Sequence, residues 1–191
     1  LFILALTCFN TEEHMYKSLF AALVGISSLG LLSCQSIPEG VTAVEDFELQ
    51  KYLGTWYEIA RLDHRFERGL EQVTATYERI TPEIIRVTNR GYNTKKQKWE
   101  EAIGKAKFIG ASSFGRLKVS FFGPFYASYN IVELDHAGYQ YALVCGPNLN
   151  YLWILARTPE LDPTALTMLV SRASSLGFPV EDLIYVDHSG Q

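Results

Sequence analysis

Few residues in this 191-residue chain have the type and spacing to do chemistry. Cys34 closes an apolar run at Leu31-Leu32-Ser33-Cys34, where a thiol is a group for acylation. Cys145 ends an apolar segment with no basic neighbour to depress its pKa, so it reads as a small buried side chain rather than a nucleophile. His136 and His188 stand alone in turn and tail sequence, and nothing marks them as metal ligands. The stretch Asp63-His64-Arg65-Phe66-Glu67-Arg68 reads as solvated loop charge, with contact to a phosphate headgroup as the alternative. Glu58 and Arg61 fall on opposite faces of an extended segment and need not be partners. The chain has no Ser/His/Asp spacing, no Cys-x-x-Cys pair and no glycine-rich phosphate loop, so no cofactor, metal or catalytic group is expected.

The remaining chemistry is apolar binding. The composition is 48% hydrophobic, and 11 Tyr, 11 Phe and 3 Trp exclude disorder. Seventeen basic residues against 21 acidic ones, net −4, argue against a nucleic-acid partner.

The apolar content is uneven. From Met15 a short basic start (Lys17) leads into the run Leu19–Leu32, too short for a spanning helix of about 20 residues and suited to a secretory h-region. Leu31-Leu32-Ser33-Cys34 resembles the bacterial lipobox. The resemblance implies cleavage before Cys34 once its thiol carries lipid, and stable anchoring by two or three acyl chains. Gln35 at the next position is not the aspartate of inner-membrane retention, which implies a lipid anchor in the bacterial outer membrane, facing the periplasm. Residues 1–14 fit no signal pattern and read as an over-extended start. The expected organisation is a targeting segment over 1–33 (1–14 extra, 15–33 signal peptide), a lipidated tether over 34–46 and one domain over 47–191.

That domain reads as all-β. Short runs rich in β-branched and aromatic residues recur at Thr55–Leu62, Val73–Ile80, Glu83–Tyr92, Trp99–Phe108, Arg116–Phe121, Tyr126–Leu134, Tyr139–Cys145 and Tyr151–Arg157. Eight strands with short connections form an up-and-down antiparallel meander, which removes its edges by closing into a barrel. On the fourth strand Ala102, Gly104 and Ala106 share one face, and small inward residues favour a barrel with room for a ligand. Asp162 as N-cap, Pro163 at the first helical position and Gly177-Phe178-Pro179 as terminator define one helix. Its Leu166, Leu169, Val170, Ala173 and Leu176 should pack outside the barrel, before a short final strand over Leu183–Val186.

Gly54-Thr55-Trp56 at the head of the first strand and Arg157 at the end of the eighth resemble the lipocalin signature. Up-and-down topology brings both to one rim, where Arg157 over Trp56 closes the base as a structural pair. The segments Tyr52–Arg61, Asp63–Gly69, Lys118–Tyr126 and Tyr151–Pro159 are similar to the bacterial outer-membrane lipoprotein lipocalins. The Thr-Asp-Tyr that many lipocalins carry between the sixth and seventh strands is here Leu134-Asp135-His136, a departure that bears on that loop. The resemblance implies binding and storage or transport of fatty acids, lysophospholipids or phospholipids, with a lipocalin-fold enzyme acting on bound lipid as the alternative and a homodimer left open. With the base at Trp56 and Arg157, the expected lipid contacts are Tyr126, Trp153, Asn130 and Tyr151, and the expected membrane link is acylated Cys34. Phe121-Phe122-Gly123-Pro124-Phe125 reads as a rigid turn with two core phenylalanines, or as a contact to membrane or lipid tail.

Overall fold

A computed structural model describes residues 36–190; Cys34, the targeting segment and the start of the tether lie outside the described residues. Eight antiparallel strands, β1 (Gly54–Arg61), β2 (Leu70–Arg79), β3 (Ile85–Asn93), β4 (Lys98–Phe108), β5 (Arg116–Phe122), β6 (Phe125–Leu134), β7 (Tyr141–Cys145) and β8 (Leu152–Ala156), pair in chain order. The sheet closes through β1 on both β8 and β2. The expected strands are therefore present, with ends differing by up to three residues.

Period-two alternation divides the apolar residues between two cores. Inside the barrel, Trp56, Ala75, Tyr77, Val87, Ala106, Leu117, Val119, Ala127, Tyr129, Trp153 and Leu155 form one cluster. Outside it, Leu152, Ile154, Ala156, Leu143 and Cys145 present the opposite face of β7 and β8 to a helix, α2 (Pro163–Ser175), through Leu169 and Ala173. Asp162 caps α2, accepting hydrogen bonds from the Thr164 and Ala165 amides at 2.9 and 3.1 Å. Gly177 sits at φ +86°, the left-handed conformation that ends a helix at little cost for glycine.

Two features follow no simple alternation. A short helix, α1 (Leu49–Tyr52), crosses the base before β1, and its buried Leu49 and Tyr52 side chains join the inner core. A two-residue strand, β9 (Ile184–Tyr185), pairs with β1 at Ala60 and Arg61, where β1 has parted from β2. It extends the wall at the mouth: the Val186 amide donates to Ile59 O at 3.0 Å and the Gln72 amide to Asp187 O at 2.8 Å.

Residues 36–46, the described part of the expected tether, run down the outside of the barrel to Phe47. Ser36 meets the β7–β8 connection, Val44 hydrogen bonds Gly115 and Ile131, and Phe47 reaches Ser113 near the base. Val41 is buried against Val132 and Cys145.

Candidate functional site

The base of the barrel is sealed. The Arg157 guanidinium lies 3.9 Å from the centre of the Trp56 ring. It donates to the carbonyls of Lys51 (2.6 Å), Thr55 (2.9 Å) and Tyr139 (3.2 Å), while Trp56 Nε1 donates to Tyr52 O at 2.8 Å. One cation thus ties α1, the start of β1 and the β6–β7 loop together.

Above the plug three inward tyrosines meet: Tyr77 Oη donates to Tyr129 Oη at 2.8 Å, and Tyr129 and Tyr52 hydroxyls lie 2.6 Å apart. Burial pushes all three phenols well above their ordinary range, so they remain protonated donors.

At the opposite end the structure gathers residues that the sequence reading kept apart. A register shift in β1 between Glu58 and Ala60, a bulge, brings Glu58 and Arg61 to the same side. They form a buried ion pair at 2.7 Å, with 2% and 3% exposure; their expected separation onto opposite faces is corrected. Arg61 also donates to the carbonyls of Glu67 (2.9 Å) and Leu70 (3.3 Å), fastening the β1–β2 loop to the wall. In that loop only Asp63, Arg65 and Arg68 are solvated, Asp63 and Arg68 as an exposed pair. His64 and Glu67 are buried, contrary to expectation. Glu67 Oε2 accepts from Trp153 Nε1 at 3.2 Å and lies 2.9 Å from His64 Nε2. Burial, aided by the Arg61 and Arg68 charges, pushes the His64 imidazole far down from its ordinary value, so the ring is neutral at physiological pH. The signal for this cluster was the pair of charged residues, Glu58 and Arg61, in the otherwise apolar second half of β1.

Trp153 and Tyr151 share the inner face of the β8 segment and stack with centroids 6.3 Å apart, and the His64 ring contacts both. Tyr126 and Asn130 do not join them. The inward residues of β6 are Ala127, Tyr129 and Ile131, so Tyr126, Ser128 and Asn130 face outward, a correction to their expected place in the cavity. A register shift between Val119 and Phe122 resets the hairpin and with it the face of β6. Tyr126 lies under Lys118 (5.3 Å), and Asn130 Nδ2 donates to Ser36, Cys145 and Gly146 carbonyls.

The wall beside the mouth is lined by small side chains. Ala102 and Gly104 face inward yet remain half-exposed, while Ala106 is buried in the core. The room at Gly104 is partly taken by Phe121, whose ring carbons would lie 2.8 Å from an added Cβ. On β3, opposite Ala75 and Ala102, inward Asn89 is fully buried, and its amide has no hydrogen-bond partner among the described residues. Sequence parity with Ile85, Val87 and Gly91 could have revealed it.

Residues 47–188 match the lipocalin-like domain family. Outer membrane lipoprotein Blc of Vibrio cholerae is 52% identical over 161 residues, covering 84% of this chain and 94% of its own. The Escherichia coli K12 protein of the same name is 51% identical, covering 80% and 86%. Among solved structures, insecticyanin from the tobacco hornworm Manduca sexta superposes with a TM-score of 0.65 at 19% identity, over 81% of this chain and 87% of its own. A closed eight-stranded meander, an arginine-capped tryptophan at its base and homology over nearly the whole domain make this chain a member of the lipocalin family, with close homology to the bacterial Blc lipoproteins.

Proposed function

We propose that this lipocalin binds a fatty acid or lysophospholipid inside its barrel at the bacterial outer membrane, held there by acylation of Cys34. The observation that carries the reading is the asymmetry of the barrel: one end is plugged by Trp56, Arg157 and α1, while the other is lined by small residues and topped by Tyr151 and Trp153. An acyl chain entering from the mouth would pass Trp153 and stop above the tyrosine cluster. Burying about 14 methylenes supplies on the order of 10 kcal/mol before ordering costs, enough for tight binding without any covalent step. The orphaned amide of Asn89 offers the polar part of a lipid a partner in this apolar wall. The names of the relatives, outer membrane lipoproteins, support the lipid anchor and the periplasm-facing address.

Kinship with a binding and transport family favours retention of the lipid over its turnover. The thiol weighed as a nucleophile for the enzyme reading, Cys145, lies on the outer face of β7 beneath α2, and burial raises it to about 12. Quenching of Trp153 fluorescence by a mid-chain brominated fatty acid tests the proposal. Saturable quenching that disappears in Trp153→Phe supports it, and quenching that persists in that variant contradicts it.

A further inference from the structure

Midway along β3 the barrel wall holds an amide that the protein itself does not answer. The β3–β4 register is unbroken from Ile85 to Asn93, so Asn89 shares the inward face of Ile85 and Val87. It lies between Ala75 on β2 and Ala102 on β4 and is fully buried. Neither its Oδ1 nor its Nδ2 has a hydrogen-bond partner among the described residues. A buried amide left in this condition costs stability and is the exception among native side chains.

The other polar groups of the interior satisfy one another. The hydroxyls of Tyr52, Tyr77 and Tyr129 bond together, Trp153 Nε1 donates to Glu67, and Arg61 takes up Glu58. Asn89 instead stands among small side chains: Ala75 and Ala102 flank it, and Gly104 is the next inward position on β4. Ala102 and Gly104 are half-exposed on that face, so the wall around the amide is where an elongated ligand can lie closest to the backbone.

An amide presents a donor and an acceptor side by side. A methylene answers neither, a keto oxygen answers only the donor, and a hydroxyl answers both. Depth decides which part of a ligand meets it. Asn89 is four residues below Asn93, the mouth end of β3, about 13 Å along the strand. At the usual tilt of a barrel strand that is a depth of roughly 10 Å. A fatty acid whose carboxylate stays at the rim therefore sets the middle of its chain, not its head, against Asn89. We propose that Asn89 selects a long-chain fatty acid hydroxylated near mid-chain, Nδ2 donating to the hydroxyl oxygen and the hydroxyl donating to Oδ1. The inference rests on the reading of the barrel as an acyl-chain site and adds the class of chain that site prefers.

Titration calorimetry of the delipidated protein tests it. The ligands are stearic acid, stearic acids hydroxylated beside the carboxyl, at mid-chain or near the methyl end, and the mid-chain keto acid. The wild-type protein should bind the mid-chain hydroxy acid about tenfold tighter than stearic acid, with the keto acid between them. Asn89→Leu, similar in size but apolar, should erase or reverse that preference while binding stearic acid at least as tightly. Because it removes an unpartnered polar group, its unfolding midpoint in urea should not fall. If Asn89→Leu does not fold, Asn89→Ala takes its place. Equal affinity of the wild-type protein for stearic acid and every derivative overturns the proposal, as does a preference that survives in the variant. No preference together with a lowered midpoint in Asn89→Leu also overturns it, and makes Asn89 a structural residue bridged by buried water. Failure of the wider reading is distinct: stearic acid itself then shows no saturable binding, nor does any derivative, and both readings fall.

Discussion

Arg61→Leu removes the cation on which the mouth is built, and its cost can be worked from the contacts. Arg61 and Glu58 are 3% and 2% exposed and 2.7 Å apart, and Arg61 Nε also lies 3.8 Å from the buried Glu67 carboxylate. The substitution takes the cation from both; loss of the closer pair alone is an effect of about 3–5 kcal/mol. The carbonyls of Glu67 and Leu70 lose their donor as well, about 1 kcal/mol each where no water replaces it. A loss of at least about 3 kcal/mol lowers the melting temperature of a domain this size by roughly 6 °C or more. Urea unfolding followed by far-ultraviolet circular dichroism measures it, with an unchanged m-value expected. Adding Glu58→Gln neutralises the orphaned carboxylate and should recover at least about 1 kcal/mol. Bound lipid should also dissociate faster from Arg61→Leu, because the β1–β2 loop loses its fastening to the wall. A loss below about 1 kcal/mol, with no recovery in the double variant, would refute the view that this ion pair holds the mouth together.

Ala102→Leu places a larger side chain on the inner face of β4 beside Leu70, Val73 and Phe66. It should weaken binding of a long acyl chain about tenfold, or ~1.4 kcal/mol, while unfolding changes by less than about 1.5 kcal/mol. Unaltered affinity in a titration calorimeter would put the chain elsewhere. Burial raises the Cys145 thiol to about 12, an effect the Asn130 side chain partly offsets, so the thiolate is scarce at any pH well below that value. Alkylation by iodoacetamide should be slow in the native protein between about pH 7 and 9, rising about tenfold per pH unit without levelling off, and fast in urea. Rapid labelling of folded protein at pH 8 would show that the thiol is not buried under α2.

Much of the architecture was readable from periodicity, because a barrel wall packs on its inner face and every second residue must answer to that core. Alternate apolar residues at Leu117, Val119 and Phe121, and at Val73, Ala75 and Tyr77, mark both a strand and its inner face. Trp56 and Arg157 were legible as a pair because meander topology returns the eighth strand to the end from which the first departs. The mouth was not legible, and the cause is local. One bulge in β1 changes the parity between Glu58 and Arg61, turning two apparently opposed charges into a buried pair. One register shift at the β5–β6 hairpin exchanges Tyr126 and Asn130 for Ala127 and Tyr129 as the inward residues of β6. His64 and Glu67 lie in a loop dense in charge, and burial there depends on Arg61, whose side chain reaches the Glu67 carbonyl, and on Trp153, 86 residues away in sequence. The small face of β4 was read correctly as inward, yet Phe121 from the neighbouring strand fills part of the room at Gly104.

Bromine quenching of Trp153 tests the central claim most directly, because it asks whether an acyl chain lies inside the barrel. Delipidated protein carrying Trp99→Phe retains Trp56 in the base plug and Trp153 below the mouth, both fully buried. Titration with a mid-chain brominated fatty acid and with a brominated lysophospholipid should quench the indole saturably at one lipid per barrel. The quenching should vanish in Trp153→Phe and leave Trp56 emission unchanged. Equal quenching with and without Trp153, or no saturable response to either lipid, would contradict the account.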